Sequence, residues 1–162
     1  MKIRPAEKQD KVAILAVYEV ARNYMRESGN PSQWGNHHPP VEMVEEDIAL
    51  GRSYVLVGDD GRVHGVFVFI IGEDPTYHEI YEGQWLNDDT YGVIHRIASD
   101  GTQRGLFASA VSFCKDRCRN VRIDTHADNK TMQHLIEKNG FHRCGIIYIE
   151  DGSPRIAYQN AE

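Results

Sequence analysis

The stretch Ile97-Ala98-Ser99-Asp100-Gly101-Thr102-Gln103-Arg104-Gly105-Leu106-Phe107-Ala108 decides how this chain is read. It passes from the end of an apolar strand through a polar, glycine-containing loop into the first turn of a helix. A helix start exposes unpaired N–H groups and the positive end of the peptide dipoles, so such a loop can cradle an anion with its backbone. Gly105 permits unusual dihedrals and close approach. Arg104 adds charge, and Ser99, Thr102, Gln103 and Ser109 add donors. Two phosphate-binding patterns do not fit. There is no terminal Gly-Lys-Ser/Thr, and the third glycine of the dinucleotide fingerprint is missing. Phe107 stands where a second small residue is expected, and the segment taken alone also reads as an ordinary strand-to-helix turn.

The surrounding pattern alternates helix and strand periodicities. Residues 2–4 read as a short strand. Residues 10–26 read as a helix with Ile14, Val17, Tyr18, Ala21 and Met25 on one stripe, stopped by Ser28-Gly29-Asn30-Pro31. Residues 29–40, with Trp34, His37 and His38, form a long loop, and long ordered loops are often functional. A short helix over 41–50 follows, then a hairpin of strands 53–57 and 63–71 around Asp59-Asp60-Gly61. Residues 77–85 are a weaker strand and 91–98 a stronger one. After the loop come a helix over 106–117, a strand over 121–125 and a helix over 129–138 capped by Gly140. Strands over 141–149 and 155–159 complete the order, which predicts a mixed α/β domain on one sheet. Strand 91–98, the following helix and strand 121–125 read as a right-handed parallel crossover.

Two segments at this spacing, the loop Gln103-Arg104-Gly105-Leu106-Phe107 and the Asn-led helix NKTMQHLIEKNGF of residues 129–141, resemble the GNAT N-acetyltransferase superfamily. The likeness in element order covers nearly the whole chain and implies one acetyltransferase domain over 1–162. It also implies a mostly antiparallel sheet flanked by helices and splayed between the fourth and fifth core strands. The implied cosubstrate is acetyl-CoA, with the amides of Gln103, Arg104, Gly105, Leu106, Phe107 and Ala108 on its pyrophosphate. Ile97, with Ala98 and Ser99 beside it, would pair with the pantetheine arm, and Asn129 would bond that arm from the other side. Three positions depart from the family pattern. Thr102 takes the leading Arg/Gln place, Phe107 the second Gly/Ala place, and Ile136 the place of a tyrosine that protonates the leaving thiolate.

Acetyl transfer to an amine gains from a base that titrates near neutrality. Relatives that use a strand glutamate have it at the place of Tyr91, so another group is needed. His95 is the first candidate: by the period of two it shares a strand face with Tyr91 and Ile97. His126, at a strand end, is the second, and Glu79 with Glu82, on the weaker strand, the third. Asp124 and Arg96 are charges inside strands and need partners or a role in binding the acceptor. The implied activity is direct acetyl transfer to a primary amine of a small molecule or peptide. The alternatives are a non-catalytic acyl-CoA-binding or sensor domain of the same fold, and a different nucleotide-binding α/β module.

Composition bounds these readings. The 162 residues, 41% hydrophobic and 26% charged, suit one compact globular domain. The net charge of -6 argues against a nucleic-acid partner and fits a cationic amine. No apolar run is long enough to cross a bilayer, and the first ten residues lack the apolar core of a secretion signal, so the cytoplasm is the expected location. Cys114, Cys118 and Cys144 read as core thiols, and neither they nor His37-His38 make a metal site, so no metal is expected. Dimers are common in families of this kind, so a homodimer stays open.

Overall fold

The computed structural model describes all residues, Met1–Glu162. Seven strands form one sheet in the order β1-β2-β3-β4-β5-β7-β6: β1 (Lys2–Pro5), β2 (Ser53–Val57), β3 (Val63–Ile71), β4 (Tyr91–Ser99), β5 (Asn120–Thr125), β6 (His142–Tyr148) and β7 (Pro154–Asn160). Every neighbouring pair is antiparallel except β4 and β5. Four helices accompany it: α1 (Lys11–Glu27), α2 (Val41–Ala49), α3 (Leu106–Lys115) and α4 (Lys130–Lys138).

The helical stripes seat as their spacing predicts. Ile14, Val17, Tyr18 and Ala21 of α1 are buried in one cluster with Val44 of α2 and Val55, Val66 and Ala98 of the sheet. On the other face α3 and α4 pack through Phe107, Ala110, Val111, Cys114 and Ile136 against Phe67, Ile94, Ile123 and Tyr158. Gly140, at φ 86, ends α4 in the left-handed conformation, and Phe141 N–H returns to the Ile136 carbonyl.

β4 and β5 pair only at Tyr91–Asn120, Gly92–Val121 and Val93–Arg122, and beyond Val93 the two strands share no ladder. This is the splay that the family resemblance implies. β4 carries a second irregularity. Val66 of β3 faces Ala98 and Val68 faces His95, so Arg96 and Ile97 together oppose Phe67. Arg96 takes φ 49 in this bulge. The extra residue breaks the period of two. His95 keeps company with the rings of the Tyr91 side, whereas Ile97 packs against the α3–α4 cluster. The expected shared face of His95 and Ile97 is thereby corrected.

The weaker strand over 77–85 is also corrected. Pro75–Tyr77 is a 3-10 turn, and the rest of the segment forms no strand, meeting the backbone of β6 through a Tyr81–Ile146 bridge and a bond from Gln84 N–H to the Cys144 carbonyl. Pro75 starts the turn with a fixed φ, and Asp74 caps it by accepting from Thr76 N–H. Glu82 at φ 57 then breaks the extended run. Side chains hold the segment as well: Tyr77 is buried beside Tyr91 and Val93, and Trp85 Nε1 donates to the Tyr77 carbonyl at 3.0 Å.

Candidate active site

The quoted loop forms the first half of the site. Gly105 adopts φ 74, ψ 14 at the N-terminal cap of α3, a left-handed conformation that favours glycine. Asp100 holds the loop start, accepting from Thr102 N–H and the Thr102 hydroxyl. From Gln103 to Ala108 no backbone N–H finds an acceptor in the protein; the first donor of the series is Ser109, to the Gly105 carbonyl. Six consecutive amides are therefore available at a helix start, the donor set an anion requires. Phe107 does not interrupt them. Its ring is buried in the α3–α4 cluster near Phe141, while its N–H stays in the series.

A cleft of about 330 Å³ runs beside this loop, lined by Leu56, Ile97, Ala98, Ser99, Gln103, Gly105, Leu106, Phe107, Ala108, Met132, Leu135, Lys138 and Asn139. It thus gathers eight of the ten residues expected to meet the cosubstrate. Arg104 is exposed and makes no hydrogen bond, whereas Asn129 is buried and already engaged. Asn129 Oδ1 caps α4 by accepting from Met132 N–H, and its Nδ2 donates to Gln33 Oε1 of the long loop. Lys138 and Asn139 were not legible as site residues, because they sit at the end of a helix whose sequence reads as an ordinary wet face.

The second half of the site lies on the Tyr91 side of the sheet, where β4 and β5 part. His95 is the second β4 residue beyond the last paired one, and its Nε2 donates to Asp74 Oδ2 at 2.8 Å. The carboxylate accepts only, so Nε2 carries the proton and Nδ1 keeps the lone pair in the neutral ring. Burial pushes the Asp74 carboxyl up, but hydrogen bonds from His95 and Thr76 outweigh it and hold the group at about 2. On β5 the partly buried Asp124 accepts from Tyr77 Oη at 2.7 Å. Burial pushes Asp124 upward, and it raises Tyr77 well above an ordinary phenol. Tyr77 is the link, its ring centroid 6.4 Å from that of His95 and its hydroxyl on Asp124.

The other expected bases lie in different settings. His126 Nδ1 accepts from Asp128 N–H at 3.0 Å, within the turn before α4. Glu79 is exposed, accepts from the Tyr81 hydroxyl at 2.8 Å, and lines a separate open hollow with Tyr81 and Tyr148. Arg96 and Asp124 both have partners, as charges in strands require. Arg96 donates twice to Asp47, at 3.0 and 2.9 Å, and Arg52 Nε adds a third bond to that carboxylate. Arg122 lies between the rings of Trp85 and Tyr91, 4.0 and 3.8 Å from their centroids.

No helix is long and apolar enough to cross a membrane. No protein-family model matches the sequence, and no curated protein does. Solved structures do. An acetyltransferase of the GNAT family from Streptococcus agalactiae is 31% identical, with 99% of this chain and 95% of that one covered at a TM-score of 0.90. A candidate acetyltransferase from Staphylococcus aureus is 28% identical over 100% of both chains, with a TM-score of 0.71. At 12% identity the NatB acetyltransferase complex bound to CoA and MES shares the fold, with a TM-score of 0.66 over 99% of this chain and 98% of that one.

Proposed function

The chain belongs to the GNAT family of acetyltransferases, and we propose that it moves an acetyl group from acetyl-CoA directly to a primary amine of a small molecule or peptide. One observation carries this reading. The parting of β4 and β5 opens the sheet between a cradle of six free amides on the α3 side and the Asp74–His95 pair on the Tyr91 side.

The residues suit the cosubstrate. The amides of Gln103 to Ala108 would hold the pyrophosphate, with Arg104 and Lys138 supplying positive charge. The apolar cleft of Ile97, Leu106, Met132 and Leu135 would take the pantetheine arm, and Ile97 would pair with it along the unladdered edge of β4. Asn129 would approach the arm from α4 while it caps that helix. Acetyl-CoA supplies a thioester whose acetyl carbon accepts the amine nitrogen as the C–S bond breaks.

The remaining work falls to side chains at the parting. His95 is assigned as the base rather than His126 or Glu79, because a buried-side carboxylate orients its ring and leaves Nδ1 free to take a proton from the amine. Asp74 stays ionised beside it and stabilises the imidazolium that forms. Tyr77 and Asp124 supply a second proton-bearing pair within reach of the same ring. Ile136 is fully buried in the core, so the family's usual tyrosine acid has no counterpart there.

The test is calorimetry with acetyl-CoA followed by thiol release over a panel of primary amines. Binding with release for at least one amine is the expected result. Binding without release for any amine would assign a non-catalytic acyl-CoA sensor, and no binding at millimolar cosubstrate would end the reading altogether.

A further inference from the structure

Arg155, near the parting of the strands, is a buried arginine that forms no salt bridge. It is only 6% exposed, yet its one hydrogen bond runs from Nη1 to the carbonyl of its own neighbour Pro154, and it joins no salt bridge. Burying a guanidinium without a countercharge is costly, and such groups are ordinarily paired. The other arginines of this region are committed. Arg96 and Arg52 hold Asp47, and Arg122 is stacked between two rings. Asp124 lies within the field of Arg155 but forms no salt bridge with it, its carboxylate taking the Tyr77 hydroxyl instead.

The position of Arg155 is specific. On β7, Ala157 pairs with Asp124 of β5, and Arg155 lies two residues further along on the same face as Ala157. That is roughly 7 Å along the strand from the level of Asp124, toward the open end of the parting. The long loop closes over the same region: Arg22 Nη1 donates to the His38 carbonyl, and Trp34 packs against both His38 and Tyr18. His38 is pushed down by burial first and then by the positive charges of Arg96, Arg155 and Arg22, opposed by Asp47 alone. Of these cations Arg96 is paired with Asp47, whereas Arg22 and Arg155 form no salt bridge.

Resting on the transferase reading above, we infer that the acceptor is an amine that also bears a carboxylate, and that Arg155 is the residue that selects it. The amine lies toward His95 and the carboxylate meets the free guanidinium edge of Arg155, where a planar fork matches two carboxylate oxygens. The cation, which has no salt bridge in the free protein, gains one when such an acceptor binds. Amines without an anion leave it without a salt bridge, which gives selection against them.

The experiment compares amino acids, of both α- and ω-type, with their primary amides at saturating acetyl-CoA. The expected kcat/KM for the acid exceeds that for its amide by about tenfold or more. Arg155→Met should bring the two to parity, mainly through KM for the acid, with acetyl-CoA affinity unchanged by calorimetry. Arg155→Lys should recover part of the preference. The preference of the unmodified protein is itself a test if Arg155→Met does not fold. Equal rates for acids and amides, or a preference that survives Arg155→Met, would overturn the inference while thiol release leaves the transferase reading standing. Absence of acetyl-CoA binding, or of release with every amine, would overturn both.

Discussion

His95 and Asp74 meet at 2.8 Å although they are 21 residues apart and belong to different kinds of structure, one to a strand and the other to the cap of a 3-10 turn. The turn brings a carboxylate to the ring nitrogen, and the bulge one residue later keeps His95 on the Tyr91 side while the chain beyond it crosses to the cleft. Fixing the tautomer in this way is the usual service of an acid behind a histidine base.

His95→Gln should therefore lower kcat for amine acetylation by about 10² to 10⁴ while the acetyl-CoA dissociation constant is unchanged. Asp74→Asn keeps the turn cap and removes the charge, so its loss in kcat should be smaller. Initial rates and calorimetry on the same preparations check both. A His95→Gln protein with full activity would move the base elsewhere, with His126 next in line.

The Asp74 carboxyl also makes stability depend on acid. Its folded value, about 2, lies below the ordinary 3.8, so its contribution is complete above the ordinary value and disappears as pH falls toward the folded one. The gap in unfolding free energy between the parent protein and Asp74→Asn should shrink by on the order of 2 kcal/mol between about pH 5 and pH 2. Urea titrations at several pH values measure it. A gap that is constant with pH would mean that Asp74 is not stabilised by His95.

Sequence alone reaches the cradle but not this pair, and the reason is physical. The loop at 97–108 is local: strand, glycine, helix start and stripe are adjacent, and backbone amides are left free whatever the side chains. The Asp74–His95 and Tyr77–Asp124 contacts are set by the path of the chain after Asp74, of which residues 77–85 read as a strand because of Tyr77, Ile80, Tyr81 and Trp85. Its actual form depends on a proline turn and on Gly83, where a Cβ would stand 1.9 Å from the Cys144 carbonyl oxygen. The bulge at Arg96 has no sequence signal at all, and with it the face of Ile97 is lost.

Phe107 illustrates the opposite case. Its ring belongs to the core and its N–H to the cradle, so the two can be separated by substitution. Phe107→Ala should cost about 3–5 kcal/mol in urea unfolding. Acetyl-CoA affinity of the folded fraction should change much less. A large gain in affinity at unchanged stability would show that the phenyl ring obstructs the loop.

A second titration sits on the rim of the cradle. His64 Nδ1 lies 2.7 Å from Asp100 Oδ2 and 3.0 Å from Thr102 Oγ1, and its Nε2 reaches Asp60. The hydrogen bonds it donates to Asp100 and then to Asp60 raise the imidazole above its ordinary 6.5. A raised value means that its stabilisation is complete below about 6.5 and is lost as pH climbs through the folded value. The parent protein should thus lose stability relative to His64→Gln on going from pH 6 to pH 9, read as converging melting temperatures. Divergence over that range would reverse the assigned sign.

The bulge offers a sharper test of backbone against side chain. Arg96 holds φ 49 while donating twice to Asp47, which is 2% exposed, and its carbonyl accepts from the Tyr18 hydroxyl at 2.8 Å. Helices α1 and α2 therefore clamp a backbone conformation that a non-glycine residue adopts only at a cost of about 1 kcal/mol or more. Arg96→Ala and Arg96→Gly both remove the two bonds to Asp47 and leave that carboxylate to Arg52. They differ in the left-handed cost, which alanine bears and glycine does not, and in the extra freedom glycine has when unfolded. If the clamp holds the bulge in both variants, Arg96→Gly should be the more stable by about 0.5–1 kcal/mol, the reverse of their order in an ordinary strand. Alanine equal to or better than glycine would mean that the bulge relaxes once the guanidinium is gone, so that the Arg96–Asp47 pair itself imposes the register that puts His95 at the parting of the strands.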